Sequence, residues 1–452
     1  MTYIKSNKIE MSFSPPYTYF PTTRNIKILR INFLLPLYKF RLTGSCRSLS
    51  SHPPQFTYNV PARSRERASR FNYWSIRFKG GLGFNQYPYK MSRTYTSSSP
   101  TKDKKPQAPR PSASVVLLSP ENQVLLLHRV QTSSAFPSAH VFPGGNLSDF
   151  HDGTVPGPDD VKRHEDSIPY RLGAIRETFE ESGILIARGD DANVNHLNVP
   201  TAERDQARKA IYNNEVRFVE WLRTVGGVAD TDNLIPFTRW ITPTNQPRRY
   251  TTQMYLYMLP LSVSNDPAIS AAQSEAMIPT PDGGVEITAA RFDYASSWLE
   301  KQRKGEIILF PPQYFLLHLV AQYLTGPPPE SLDFSQLTEY YRAQREKLRE
   351  FIATVPTANG PKAAKHPTAQ IPWGDKVISP NILGIRQSDK RSILGLDKPG
   401  PELRETDRGG DWERVVLVKF GKGVARDVEV RSREDVLAEE RQLESTPKET
   451  KL

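Results

Sequence analysis

The chain has 452 residues, 24% of them charged, and a formal charge of +11 at pH 7, so two or three domains fit and one core of ordinary size would leave chain over. Residues 1–110 hold 20 Lys and Arg against Glu10, Glu66 and Asp103, which makes this part +17 and the remainder −6; the basic character is local, and nucleic-acid binding by the whole protein is set aside. Cys46 is the only cysteine, which excludes an internal disulfide framework and a thiolate-rich zinc site and fits a reducing compartment.

Residues 1–110 are basic, acid-poor and rich in Ser, Tyr and Pro, with no period that would bury a face, and read as a disordered extension. Ile31 to Leu37 is too short to span a membrane and Pro36 interrupts it, so no transmembrane segment is expected. Arg-rich, Ser-rich sequence is the signature of a mitochondrial leader; Met91 equally suits a true start after an over-extended gene model. Strands are predicted at 113–118 and 123–129 across a Pro120/Asn122 turn, then a loop to Gly144-Gly145, a polar surface loop from Asn146 to Ser167, and a helix from Tyr170 to about Ala187. One amphipathic helix is expected over 200–225, stopped by Gly226-Gly227. Strands follow at Phe237–Ile241, Thr251–Leu261 and Glu286–Phe292, and helices at Tyr294–Lys304, Pro312–Tyr323 and 334–353. Residues 356–412 are rich in Pro, Gly and charge, and Arg414–Lys419 with Val424–Val430 form a late hairpin.

The stretch with chemistry in it is Arg176-Glu177-Thr178-Phe179-Glu180-Glu181-Ser182-Gly183-Ile184. On a helix, Glu177, Glu180 and Glu181 fall within an arc of about 100°, while Leu172, Ile175 and Phe179 lie opposite and can pack on a sheet. Like charges at this spacing disfavour a helix by a few tenths of a kcal/mol per pair; a hard cation offsets that, because Mg2+ and Mn2+ prefer oxygen ligands. Arg176 can anchor one of the glutamates by a bidentate contact. Taken alone, Arg-Glu-x-x-Glu-Glu is more simply an acidic solvated face. The Phe-Pro-Gly-Gly loop upstream, the two preceding strands and Gly183 at the helix end favour a ligand patch.

This stretch resembles the second half of the Nudix box, whose pattern is Gly, five residues, Glu, seven residues, then Arg-Glu-aliphatic-x-Glu-Glu-x-Gly-aliphatic, with Gly144-Gly145 similar to its opening. The box is expanded over 144–184: Gly145 and Arg176 stand thirty-one positions apart where the family has fourteen. Its first Glu is missing, His151 standing at that spacing beside Asp149 and Asp152, and Thr178 takes an aliphatic position. The resemblance implies an α+β fold, a Nudix-type α/β/α sandwich with a mixed β-sheet, over 111–330, followed by a partly disordered C-terminal extension over 331–452. It also implies a metal-dependent hydrolase. Glu177 and Glu181 would be the first metal ligands, Glu180 a third ligand or water-positioning base, and the Gly144 carbonyl a further ligand for Mg2+ or Mn2+.

Later blocks are similar to the peroxisomal acyl-coenzyme A diphosphatase branch of that superfamily: residues 135–145, Arg239-Trp240-Ile241-Thr242-Pro243, Pro247-Arg248-Arg249-Tyr250 and Leu309-Phe310-Pro311-Pro312-Gln313. The implied reaction cuts coenzyme A or acyl-coenzyme A to adenosine bisphosphate and (acyl-)phosphopantetheine. Arg248 and Arg249 form a cationic pair suited to the substrate's phosphates, or else cap a strand end. Other nucleoside diphosphate derivatives (NADH, nucleotide sugars, capped RNA) and a Nudix-fold binding protein without activity are the alternatives. The basic leader and the terminal Thr450-Lys451-Leu452, one residue type from a peroxisomal signal, leave mitochondrion and peroxisome open.

Overall fold

In the computed structural model, β1 (Arg110–Leu118) is the strand around which the domain is arranged. Its Val115-Val116-Leu117-Leu118 run has no exposed face: Val115 and Leu117 enter one hydrophobic cluster, Val116 and Leu118 another. An unbroken apolar run is what a strand covered on both sides requires. The structure describes residues 107–133, 137–189, 197–261, 277–283, 286–421 and 424–445, all within the unit Ser97–Leu452. The basic leader up to residue 106 and the terminal Thr450-Lys451-Leu452 lie outside the described residues.

β1 runs parallel to β8 (Tyr250–Met258), from Arg110↔Tyr250 to Leu118↔Met258. Its other edge is divided. At one end Leu118 pairs with Val124 of β2 (Val124–Arg129), and at the other Ser112–Ser114 pair with Asn146–Gly144 of β4 (Gly144–Asn146). β2 continues to β3 (His140–Val141) and to β9 (Ile287–Asp293), while β8 continues to β7 (Ile235–Ile241) and β10 (Val377–Ile378). The result is a mixed eight-stranded sheet, the architecture expected from sequence.

One face of this sheet carries α1 (Ile168–Ser182), α2 (Thr201–Tyr212) and α3 (Phe218–Thr224). Tyr170, Ala174, Ile175 and Phe179 are the α1 residues buried in that layer; Leu172, expected among them, is only half-buried. α1 stops at Ser182 and not near Ala187, because Gly183 takes φ +73° and its N–H donates to Phe179 O, a left-handed cap that glycine reaches without strain. Residues 187–189 then pair with 227–229 as a short ribbon, β5 (Ala187–Gly189) with β6 (Gly227–Ala229). The single helix expected over 200–225 is broken between Tyr212 and Phe218, where Asn214 adopts φ +58°.

The opposite face carries α4 (Ala295–Arg303), α5 (Pro311–Ala321) and α6 (Phe334–Ala353). Residues 331–445, expected as an extension, close this face. Leu348 and Ile352 of α6, Trp373, and Val416, Val418, Ala425 and Val428 of the C-terminal sheet share a cluster with Val116, Leu126 and Met254. Arg345 of α6 ties the two parts by donating to Asn122 Oδ1, Ser119 O and Leu259 O, each at 2.7 Å. The expected late hairpin is β13 (Asp411–Gly421) with β14 (Val424–Ser432), and it belongs to a four-stranded sheet with β11 (Asn381–Ile385) and β12 (Ser392–Leu396). Strands β10, β11 and β12 within 356–412 are short and set among Pro, Gly and charge, which hid them; α7 (Arg433–Ser445) follows.

Trp373 is fully buried against Phe237, Phe315 and Phe351. Trp373→Ala should therefore lower stability by about 3–5 kcal/mol and shift the main unfolding transition in urea. A main transition that stays in place while a minor one moves would show that the C-terminal part is independent of the sheet.

Candidate active site

The divided edge of β1 creates the site. Where β4 meets β1, Val115 N and Ser114 Oγ both donate to Pro143 O, at 2.9 and 2.8 Å, which pins the Gly144-Gly145 bend beneath α1. Gly144 has φ +152°, and a Cβ there would stand 2.3 Å from Ala113 O; a Cβ on Gly145 would stand 2.4 Å from a Glu177 carboxylate oxygen. Gly144 is thus required by close approach to backbone, while a side chain on Gly145 would displace the Glu177 carboxylate. The Gly144 N–H donates to Glu181 Oε2 at 2.8 Å.

Arg176 organises the remaining acids. Its Nε and Nη2 grip both oxygens of Asp152 at 2.9 and 2.8 Å, and Nη1 donates to Glu177 Oε1 at 2.8 Å and Glu180 Oε1 at 2.9 Å. Nη2 also donates to Asn146 O at 3.0 Å. The sequence reading had Arg176 anchoring one glutamate; it anchors two, and an aspartate from the insertion besides. Arg129, at the end of β2, stands 3.7 Å from Glu181 Oε1 and 2.9 Å from Glu286 Oε2. In this network five carboxylates face two guanidinium groups.

That imbalance appears in the protonation of the acids. Burial, with Glu180 and Asp152 adding to it, pushes Glu177 up to about 7 against the pull of Arg176. Burial and the neighbouring Glu177 hold Glu181 well above the usual carboxylate range, and burial also raises Glu180. Burial works against the charge on Arg176, but Glu177, Asp152 and Glu180 outweigh it and keep the guanidinium firmly protonated. An oxygen-rich cluster of this kind, with more acids than guanidinium groups, fits a hard divalent cation, whose charge would favour the ionised acids. Among the described residues no three His, Cys, Asp or Glu side chains converge as ready ligands. Glu177 and Glu180 are turned to Arg176, and Glu181 to Gly144.

The insertion is more than the surface loop expected. His151, at the spacing of the missing box glutamate, is buried and accepts from Phe218 N at 3.2 Å; it faces α3, and burial and Arg176 depress its pKa. The acid that meets the box arginine is its neighbour Asp152, 2% exposed. His164 is buried against Thr251 Oγ1 at 2.9 Å. Its neighbour Arg163 accepts Tyr170 Oη at its carbonyl, which ties the insertion to the first turn of α1.

The last turn of α1 is held from α2: Arg208 Nη2 donates to Glu180 O at 2.8 Å and Arg204 Nη1 to Gly183 O at 3.2 Å. Cations belong at that end of a helix dipole. Their i, i+4 spacing was visible in sequence, though their target was not. Arg129 and Glu286 carry no such signal in the sequence, whereas Asp152 stands beside His151, which is at the spacing of the missing glutamate.

Arg249, expected with Arg248 as a phosphate-binding pair, is buried and committed elsewhere. It donates to Thr242 O and Gln107 O at 2.9 Å and to Glu402 Oε1 at 2.5 Å, so the reading of Arg249 as a strand-end tie replaces that of a substrate residue. Arg248 is exposed and the two do not present a common face of cations.

Residues 157–319 match the family model described as the NUDT19 Nudix domain. The chain is 33% identical over 215 residues to "Putative nudix hydrolase 7" of Caenorhabditis elegans, covering 47% of this chain and 61% of that protein. It is 26% identical over 244 residues to the acyl-coenzyme A diphosphatase NUDT19 of Xenopus laevis, covering 44% and 60%. To the protein of that name in Gallus gallus it is 27% identical over 347 residues, covering 65% and 82%. It therefore spans about three-fifths of the first two relatives. The box helix α1 lies inside the matched segment, so over these residues the chain is similar to Nudix hydrolases.

Two outcomes follow from this geometry. Asp152→Ala strips the bidentate partner from a buried arginine and should cost about 3–5 kcal/mol, while His151→Ala, which leaves one buried N–H unpaired, should cost about 1–3 kcal/mol; chemical denaturation of both variants checks the order. For Glu177 the folded pKa of about 7 lies above the ordinary 4.5, so the folded state binds more protons than the unfolded one between those values. Its contribution is full below pH 4.5 and lost as pH rises through about 7. In chelator, Glu177→Gln should accordingly be more stable than the parent at pH 8 by about 1–3 kcal/mol and gain nothing at pH 4.5; a gain that does not change with pH would contradict the assignment.

Proposed function

We propose that the protein is a Mg2+- or Mn2+-dependent diphosphatase that adds water across the diphosphate of coenzyme A or acyl-coenzyme A, releasing adenosine bisphosphate and (acyl-)phosphopantetheine. The observation that carries this reading is the acidic flank of α1: Glu177 and Glu181 are packed against the Gly144-Gly145 bend, Glu180 joins them through Arg176, and together they carry more negative charge than Arg176 and Arg129 neutralise. The named activity of the Xenopus laevis and Gallus gallus relatives supports the substrate class.

Glu177 and Glu181 are the residues that would hold the metal, with Glu180 as third ligand or water-positioning base and Gly144 as a backbone contributor. A bound divalent ion supplies neutralisation of phosphate charge and a water that ionises near neutral pH. Arg176 keeps the Glu177 and Glu180 side chains at one end of the patch, and the Gly144 N–H orients Glu181 at the other. Product release needs no covalent intermediate: the water oxygen joins one phosphorus and the bridging oxygen leaves with the other.

The reading keeps a small-molecule substrate and no nucleic-acid partner. Among the described residues no helix is long and apolar enough to cross a membrane. A peroxisomal or mitochondrial address rests on terminal segments outside the described residues.

Incubation of the full-length protein with Mg2+ and a panel of coenzyme A, acyl-coenzyme A, NADH, a nucleotide sugar and capped RNA tests the proposal, with products identified by mass. Coenzyme A species should be cleaved, and Glu181→Gln should lower kcat by about 100-fold or more with the fold retained. Intact coenzyme A beside a cleaved alternative would reject the substrate assignment; cleavage of nothing would favour a Nudix-fold binding protein.

A further inference from the structure

A diphosphate brings two or more negative charges to a site that is already acidic. Besides a divalent ion, it needs a side-chain cation with a nitrogen to spare. Arg176 is 4% exposed and each of its three guanidinium nitrogens already donates. Arg204 and Arg208 serve the carbonyls that end α1, and Arg249, although one of its nitrogens is unpaired, is held by Thr242, Gln107 and Glu402, none of them in the acidic patch.

Arg129 differs from all of these. It closes β2 at a register shift against β9 between His128 and Arg129, the kind of bulge that re-aims a side chain. Nε donates to Ser133 Oγ at 3.0 Å and Nη2 to Glu286 Oε2 at 2.9 Å. Nη1 stands 3.7 Å from Glu181 Oε1, an attraction between charges beyond hydrogen-bond length. Glu286 is 44% exposed while Arg129 is 16% exposed, so the acid can turn to water at little cost and the guanidinium stays at the site.

We infer that Arg129 is a substrate-binding residue for the diphosphate, its guanidinium exchanging the electrostatic contact with Glu181 for a phosphate oxygen once a divalent cation has taken over that carboxylate. This rests on the metal-dependent reading above. In the absence of metal, Arg129 and the cation compete for Glu181; in its presence, they act together on the phosphates. The planar guanidinium suits two phosphate oxygens at once, which an ammonium group does not.

The two halves of this exchange give the test opposite signs. In full-length Arg129→Gln, Mn2+ alone, followed by electron paramagnetic resonance, should bind about 3-fold more tightly or better, because a nearby positive charge is gone. At saturating Mn2+, the uncleavable adenosine 5′-(α,β-methylene)diphosphate should bind about 10- to 100-fold more weakly by calorimetry. Arg129→Lys should keep Mn2+ affinity at the parent's value and recover only part of the analogue affinity. Both affinities falling together, or unchanged analogue binding, would overturn the inference. Should Arg129→Gln fail to fold, Arg129→Lys decides: weakened analogue binding supports it and unchanged binding overturns it. Parent protein that binds neither Mn2+ nor the analogue would instead overturn the metal-dependent reading itself.

Discussion

The buried guanidinium of Arg176 is the constraint on which the site depends. A charge with 4% exposure persists in a protein interior only when it is paired and fully hydrogen-bonded. Its partners come from two parts of the chain: Asn146 and Asp152 in the insertion, and Glu177 and Glu180 on its own helix. Satisfying one arginine therefore fixes the path of the insertion, the tilt of α1 and the orientation of two of its acids. Glu181 is left outside that grip, and the Gly144 N–H and Arg129 settle its position.

What could be read from the sequence follows the range of the interactions. Periodicity and caps are local, so the strand at the centre of the sheet, the helix with three acids and the Gly183 cap were legible. The break between α2 and α3 was not, because Ala210, Ile211, Val216 and Phe218 keep an apolar register across it while Asn214 turns the backbone. The exchange of roles between His151 and Asp152 was half legible: an acid was visible one position from the expected spacing, but which of two neighbouring side chains faces inward depends on α3 donating Phe218 N–H to His151. Arg249 shows the same limit. Its neighbour in sequence suggested a phosphate clamp, whereas Glu402, 153 positions away, claims it.

The C-terminal part was the least legible region for a related reason. Residues Asn381–Ile385 show no alternation that marks a strand, because Ile382 and Ile385, three positions apart, are both exposed. Its core contribution comes from scattered residues, Trp373 in a turn and Val416 and Val428 in different strands, none of which forms a pattern by itself. Only the sheet's second face brings them together. The Arg249–Glu402 pair and the donation of Arg408 Nη2 to His164 O at 3.4 Å carry that influence around the edge to the side on which α1 lies.

The expanded box then has a physical explanation. A short box loop needs few contacts to hold its shape, whereas a long one loses more conformational freedom on ordering and needs compensating contacts. Here the added chain is held at Leu147 to Pro111 O, at Asp152 to Arg176, at His151 to α3 and at His164 to β8. Two of these anchors, Leu147 and Asp152, flank the Gly144-Gly145 bend and the arginine that orients the acids. Ordering of the insertion and formation of the acidic patch are consequently one event, and a change that loosens the loop at its far anchors acts on the site through Asp152 and Arg176 without touching a ligand.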